Sequence, residues 1–265
     1  MKKIMLSVCA LSAMVLTSCS NEVDMFETIG TPKGTLNVDC IYDTEMTRAT
    51  ATESWAWVIK ADDTPLTTGP NYIPAGTYTV TASNYDDLAT ALAANENWGD
   101  AFYSGSQPNV VVTKGESTPV IIDCGKAKNA RLKTTFKSLE SFTDVKLVAD
   151  IDDSGTSHTG RNLEFNTTTP TDKFAYFEAN KPIKCKLSYT FNSNTIEKQI
   201  DFTLAGPATE NVINVKTNDN GTITISLTNI TYEEEFGTGN SEEITIDAAT
   251  GEIKKGAEVT TPSAE

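Results

Sequence analysis

The chain has 265 residues, 36 acidic against 21 basic, a net charge of −15 and one histidine. An acidic surface of this strength repels phosphate backbones and anionic headgroups, which sets nucleic acid aside as a partner. Five cysteines in such a length do not make a disulfide scaffold, and the chain is long enough for one large or two ordinary domains.

Lys2 and Lys3 precede an apolar run from Ile4 to Leu16 that only Ser7 and Ser12 interrupt. A helix needs about 20 apolar residues to cross a bilayer, so this shorter run reads as a signal peptide and not as a permanent anchor. It closes on Leu16-Thr17-Ser18-Cys19, which resembles the lipobox of bacterial lipoproteins. In that pattern the cysteine thiol receives a diacylglycerol and Cys19 becomes the first residue of the mature chain. Two or three acyl chains, at about 0.8 kcal/mol per buried methylene, make the attachment stable. Ser20 is not the aspartate of an inner-membrane retention signal, so the expected location is the outer membrane, lipid-anchored and at the cell surface. Residues 1–18 are thus read as the signal and 19–33 as a linker.

From Gly34 onward apolar and polar residues alternate with period two, bounded by Gly, Pro, Asn and Asp. In "GTLNVDCIY" Leu36, Val38, Cys40 and Tyr42 share one face. In "SWAWVIK" Trp55, Trp57 and Ile59 lie two apart, and "IPAGTYTVTA" sets Tyr78, Val80 and Ala82 against Thr77, Thr79 and Thr81. Further strands are expected at "VVVTKG", "TPVIIDC", "ARLKTTF", "VKLVADI", "RNLEFN", "KCKLSYTF", "IEKQIDFTL", "NVINVKT" and "GTITISL". Short strands at regular spacing predict an all-β sandwich or barrel.

One stretch departs from this pattern. Residues 84–105 form a long connection in which Leu88 to Ala94 can make a turn or two of helix, and connections of this length tend to be functional or to cap a sandwich end. Near Cys124 the composition changes to "GKAKNA", the expected junction between a sandwich at 34–124 and another at 125–235. Residues 236–265 read as an acidic, glycine-rich tail with one hairpin at "EEITIDAATGEIK".

Chemistry is sparse. Any Ser-His-Asp or Cys-His mechanism would need His158, which lies in a turn, and no G-x-S-x-G elbow is present. Asp150, Asp152, Ser154 and Gly155 match the start of a calcium loop, but Arg161 stands where a bidentate glutamate belongs. The chain is therefore read as non-enzymatic, with no catalytic residue, metal or cofactor. Trp55, Trp57 and Trp98 could stack on sugar rings, although Trp55 and Trp57 also have the spacing of core residues. Cys40, Cys124 and Cys185 permit one disulfide at most, and their apolar settings suit buried free thiols.

Taken in order, the Cys19 lipobox, "GTLNVDCIY", "TRA" at Thr47, Arg48 and Ala49, "IPAGTYTV", "FYSG", "VIIDC" and "AYFEANKPI" resemble the fimbrillin-type surface lipoproteins of Bacteroidales bacteria. They resemble more closely a group of these lipoproteins labelled as cell adhesion proteins. The likeness spans residues 34–235 and implies two tandem transthyretin-like, Greek-key β-sandwiches. It also implies lipid-anchored export, cleavage after Arg48 that removes the first strand, and filling of the vacated groove by a strand of the next subunit. The expected partners are other fimbrial subunits or surface ligands of host or bacteria, with the membrane met only through the lipid. The competing expectation is a monomeric glycan-binding lipoprotein of a polysaccharide uptake system.

Overall fold

The computed structural model describes residues 31–43, 56–151, 160–170, 172–218, 221–231 and 241–255. Cys19, Arg48, Trp55 and His158, with Asp152, Ser154 and Gly155 of the acidic loop, lie outside them. The fold is all-β. The first seven strands are β1 (Lys33–Tyr42), β2 (Val58–Ala61), β3 (Thr64–Leu66), β4 (Gly69–Pro74), β5 (Gly76–Ser83), β6 (Ser104–Val112) and β7 (Ser117–Gly125). They form two sheets, ordered β4-β1-β7 and β3-β2-β5-β6. Alternate residues such as Leu36, Val38, Ile59, Val80, Val112 and Ile122 turn inward between the sheets and make one core.

The next seven strands are β8 (Ala130–Lys137), β9 (Thr143–Ala149), β10 (Leu163–Asn166), β11 (Ala175–Phe177), β12 (Pro182–Phe191), β13 (Asn194–Thr203) and β14 (Thr209–Thr217). They repeat the same plan. Sheet β10-β9-β12-β13 corresponds to β3-β2-β5-β6, and β11-β8-β14 corresponds to β4-β1-β7. Even the polarity is shared, since β1 runs parallel to β7 and antiparallel to β4, as β8 does to β14 and β11. The second unit then continues beyond β14 with β15 (Thr222–Thr231), β16 (Ser241–Asp247) and β17 (Ile253–Lys255), an antiparallel meander that has no counterpart in the first. The hairpin expected in the tail is thus β16 and β17, and Ile246 and Ala248 enter the second core.

Strands β3, β4 and β11 escape the sequence pattern because they are short or carry prolines, Pro65 in β3 and Pro70 and Pro74 in β4. Those prolines have positional meaning. All four edge strands of the first unit contain one, since β6 carries Pro108 and β7 carries Pro119. A proline on an edge withholds an N–H from any incoming strand.

The long connection ties the units together. It contains α1 (Leu88–Ala93), capped where Asp87 Oδ1 accepts the Thr90 N–H at 2.7 Å. Asn84 and Asn129, both buried, hold its return: Asn84 Nδ2 donates to Ala101 O, Asn129 Nδ2 donates to Asp100 O, and Asn129 Oδ1 accepts from Phe102 N. Its Trp98 packs against the second core, while Tyr176 of β11 is buried in the first.

Candidate functional site

The residues that make β1 a strand also make it the centre of its sheet. In a parallel ladder alternate residues bond to one neighbour. The Thr35 N–H donates to Glu116 O at 2.8 Å, so the odd residues of β1 bond β7 and the even ones bond β4. It follows that Pro119 on β7 and Pro70 and Pro74 on β4 turn their backbones away from β1. The pairing extends past both ends of the strand, with Ala75 N donating to Pro32 O at 2.6 Å and Asp43 N to Gly125 O at 2.9 Å. Withdrawal of β1 would therefore open a slot with unsatisfied backbone on both walls.

The floor of that slot is apolar. Leu36 is 0% and Val38 2% exposed, and Cys40 and Tyr42 pack against the same core. Tyr42 closes the far end, 5.4 Å from Trp57 edge-on and 5.1 Å from Tyr103 between ring centroids. The near end is closed by Gly34, which is also buried and faces inward. A Cβ there would run into the backbone carbonyl of Thr113 and the Val112 side chain. Full burial of Leu36 and Val38 is worth very roughly 1.5–3 kcal/mol each, as an upper bound, and the half-buried Cys40 and Tyr42 contribute less.

Two thiols, Cys40 and Cys124, belong to this floor. Burial, then Cys124 and Asp39, push the Cys40 thiol up to about 12, and burial pushes Cys124 up to about 11. Both are free, and Cys185, free and buried in the other core, is raised for the same reason. No disulfide joins these three. Tyr103, wholly buried, has an unpartnered hydroxyl and a pKa raised by burial.

The other residues singled out in the sequence are not brought together. Trp57 belongs to the first core and Trp98 to the second, where Phe165 meets it edge-on at 5.1 Å and the Lys173 ammonium sits 3.6 Å over its ring. Asp150 and Arg161, the first and twelfth places of the acidic loop, pair with each other at 2.7 Å. Among the described residues no group of three or more His, Cys, Asp or Glu is placed to hold a metal ion.

Arg161 does what sequence reasoning missed. Its Nη1 donates to Leu92 O at 3.3 Å, Asn97 O at 3.1 Å and Tyr176 O at 2.9 Å, and its guanidinium lies over Phe177. One side chain thereby fastens the long connection to the second unit. The only signal in the sequence was the arginine where a calcium loop needs an acid.

A family model described as "Domain of unknown function (DUF4493)" matches residues 36–263. No curated protein matches. Solved structures that resemble the chain include two named "putative cell adhesion protein". The one from Bacteroides ovatus is 11% identical with a TM-score of 0.40, covering 74% of this chain and 95% of its own. The one from Bacteroides fragilis is 14% identical with a TM-score of 0.33, covering 76% and 100%. A fimbrial assembly protein from Parabacteroides distasonis is 10% identical with a TM-score of 0.34, covering 84% and 98%.

Proposed function

We propose that this chain, which belongs to the DUF4493 family, is a structural or adhesive subunit of a fimbria-like surface assembly, joined to its neighbours through the slot of β1. It is held on the outer membrane by lipid on Cys19. Cleavage after Arg48 frees β1, and a strand of another subunit takes its place. No chemistry on a substrate is assigned to it.

The observation that carries this reading is the contrast between β1 and the edges. Every edge strand of the first unit holds a proline, so a partner strand cannot simply be added there. The slot of β1 offers instead two walls of backbone and an apolar floor, the requirements for strand recognition. The segment from residue 43 to 57, which contains Arg48, follows β1 directly. The other arginines are protected, Arg131 in a buried pair with Glu210 at 2.6 Å and Arg161 in its clasp.

Treating the mature protein with an arginine-specific protease and following size by gel filtration tests the reading. Cutting at Arg48 followed by ladder formation is expected. An uncut Arg48, or a cut protein that stays a stable monomer, would leave the chain as a tip, anchor or glycan-binding lipoprotein.

A further inference from the structure

The slot of β1 is selective at its near end. Its first inward position is Gly34, and only glycine fits beneath the Thr113 carbonyl, a backbone atom that cannot swing aside like a side chain. The next three inward positions are apolar, Leu36, Val38 and Cys40, and the residues between them, Thr35, Asn37 and Asp39, are polar. A replacement strand must therefore read glycine, then apolar residues two, four and six places on, with polar residues between.

Of the 16 glycines in the chain, two besides Gly34 are followed in this way, Gly76 and Gly221. After Gly76 the residue that would take the place of Leu36 is Tyr78, too large for a position that is 0% exposed. After Gly221 the first three inward positions match, Ile223 for Leu36, Ile225 for Val38 and Leu227 for Cys40, with Thr222, Thr224 and Ser226 between, while Asn229 falls at the place of Tyr42. The terminal hairpin fails the same test. Aligning Ile244 with Leu36 puts Glu242 in the glycine position, and aligning Ile246 puts Ile244 there. Aligning Gly251 with Gly34 buries Lys255 at the place of Val38.

We infer that the partner strand of the β1 slot is residues 221–227 of a second copy of this chain, with Gly221 at the place of Gly34. This rests on the reading that β1 is exchangeable. Two further facts suit it. Gly221–Leu227 opens the β15–β17 extension, the part of the second unit that lies outside the repeated seven-strand plan, and in the donor copy it must first leave its places beside β14 and β16. In its own unit the segment already alternates as the slot requires, with Ile223, Ile225 and Leu227 buried and Thr222, Thr224 and Ser226 at intermediate exposure. The sequence match thus transfers the same side chains from one sandwich interior to another.

The test uses the full chain cut at Arg48 and labelled synthetic peptides, followed by gel filtration and mass spectrometry of the released first strand. A peptide of residues 33–43 serves as the reference for exchange. The peptide of residues 221–228 should displace the first strand and co-elute with the protein. The same peptide carrying Gly221→Val should bind on the order of tenfold or more weakly, and a peptide of residues 242–255 should not displace it. If 33–43 exchanges and 221–228 does not, or if Gly221→Val binds equally well, the assignment of the partner strand is wrong while the exchangeable slot stands. If 33–43 itself never exchanges, the slot reading fails and takes the assignment with it.

Discussion

Gly34 is held to glycine by one backbone carbonyl, and that makes it the sharpest residue-scale test of how β1 sits. Gly34→Ala should cost about 1–3 kcal/mol, seen as a lower denaturant midpoint with unchanged slope, because the added methyl meets Thr113 O and Val112. The cysteines give a pH signature. Cys40 and Cys124 have raised pKa values in the folded state, so folding favours their protonated forms; stability is intact below about pH 9 and is lost as pH rises towards 11 and 12. Denaturation midpoints between pH 8 and 10.5 should fall less in a Cys40→Ala, Cys124→Ala double variant than in the parent chain. At the N-terminus, Cys19→Ala should abolish incorporation of labelled fatty acid and release the protein from membranes; continued labelling would contradict the anchor. Arg161 belongs to the same scale but was illegible in sequence. Its acceptors lie at Leu92, Asn97 and Tyr176, carbonyls on other segments that no local pattern brings to a loop arginine. Arg161→Ala removes the ion pair with Asp150 together with the three carbonyl contacts and should cost about 2–3 kcal/mol, with Arg161→Lys restoring the charge but not the three-carbonyl contact. Protease sensitivity of residues 84–105 should rise in both variants.

Among the elements, the strands that alternate cleanly were readable from residue spacing alone, because a sheet with one buried face imposes period two on its sequence. "GTLNVDCIY" is β1 to within a residue, and "VIIDC", "KCKLSYTF" and "NVINVKT" fall within β7, β12 and β14. What could not be read was the partner of each strand. The seven-strand plan is repeated without a repeated sequence, since any apolar residue of suitable size fills an inward position. Nor could the prolines be placed on edges until the order of strands was known. Their role is testable: Pro119→Val returns an N–H to the outward side of β7 and should make the uncut protein associate with rising concentration, whereas the parent chain stays monomeric. Sedimentation velocity at several concentrations distinguishes the two.

For the whole molecule, the two sandwiches are unequal versions of one plan. The first holds a strand whose slot is apolar, closed by glycine at one end and by Tyr42, Trp57 and Tyr103 at the other. The second carries the extra meander, and the Arg161 clasp joins the units. The central claim is that β1 is the exchangeable part of this design, and hydrogen exchange at the amides of β4 and β7 measures it most directly. Amides of β7 that bond β1, such as those of Thr118, Val120 and Ile122, and of β4, such as Asn71 and Ile73, should be protected in the uncut protein. They should lose protection when the Arg48-cut first strand is removed and regain it in the assembled ladder, where a strand from another copy stands in the slot. Protection that survives loss of β1, or that never returns in the ladder, would contradict the account.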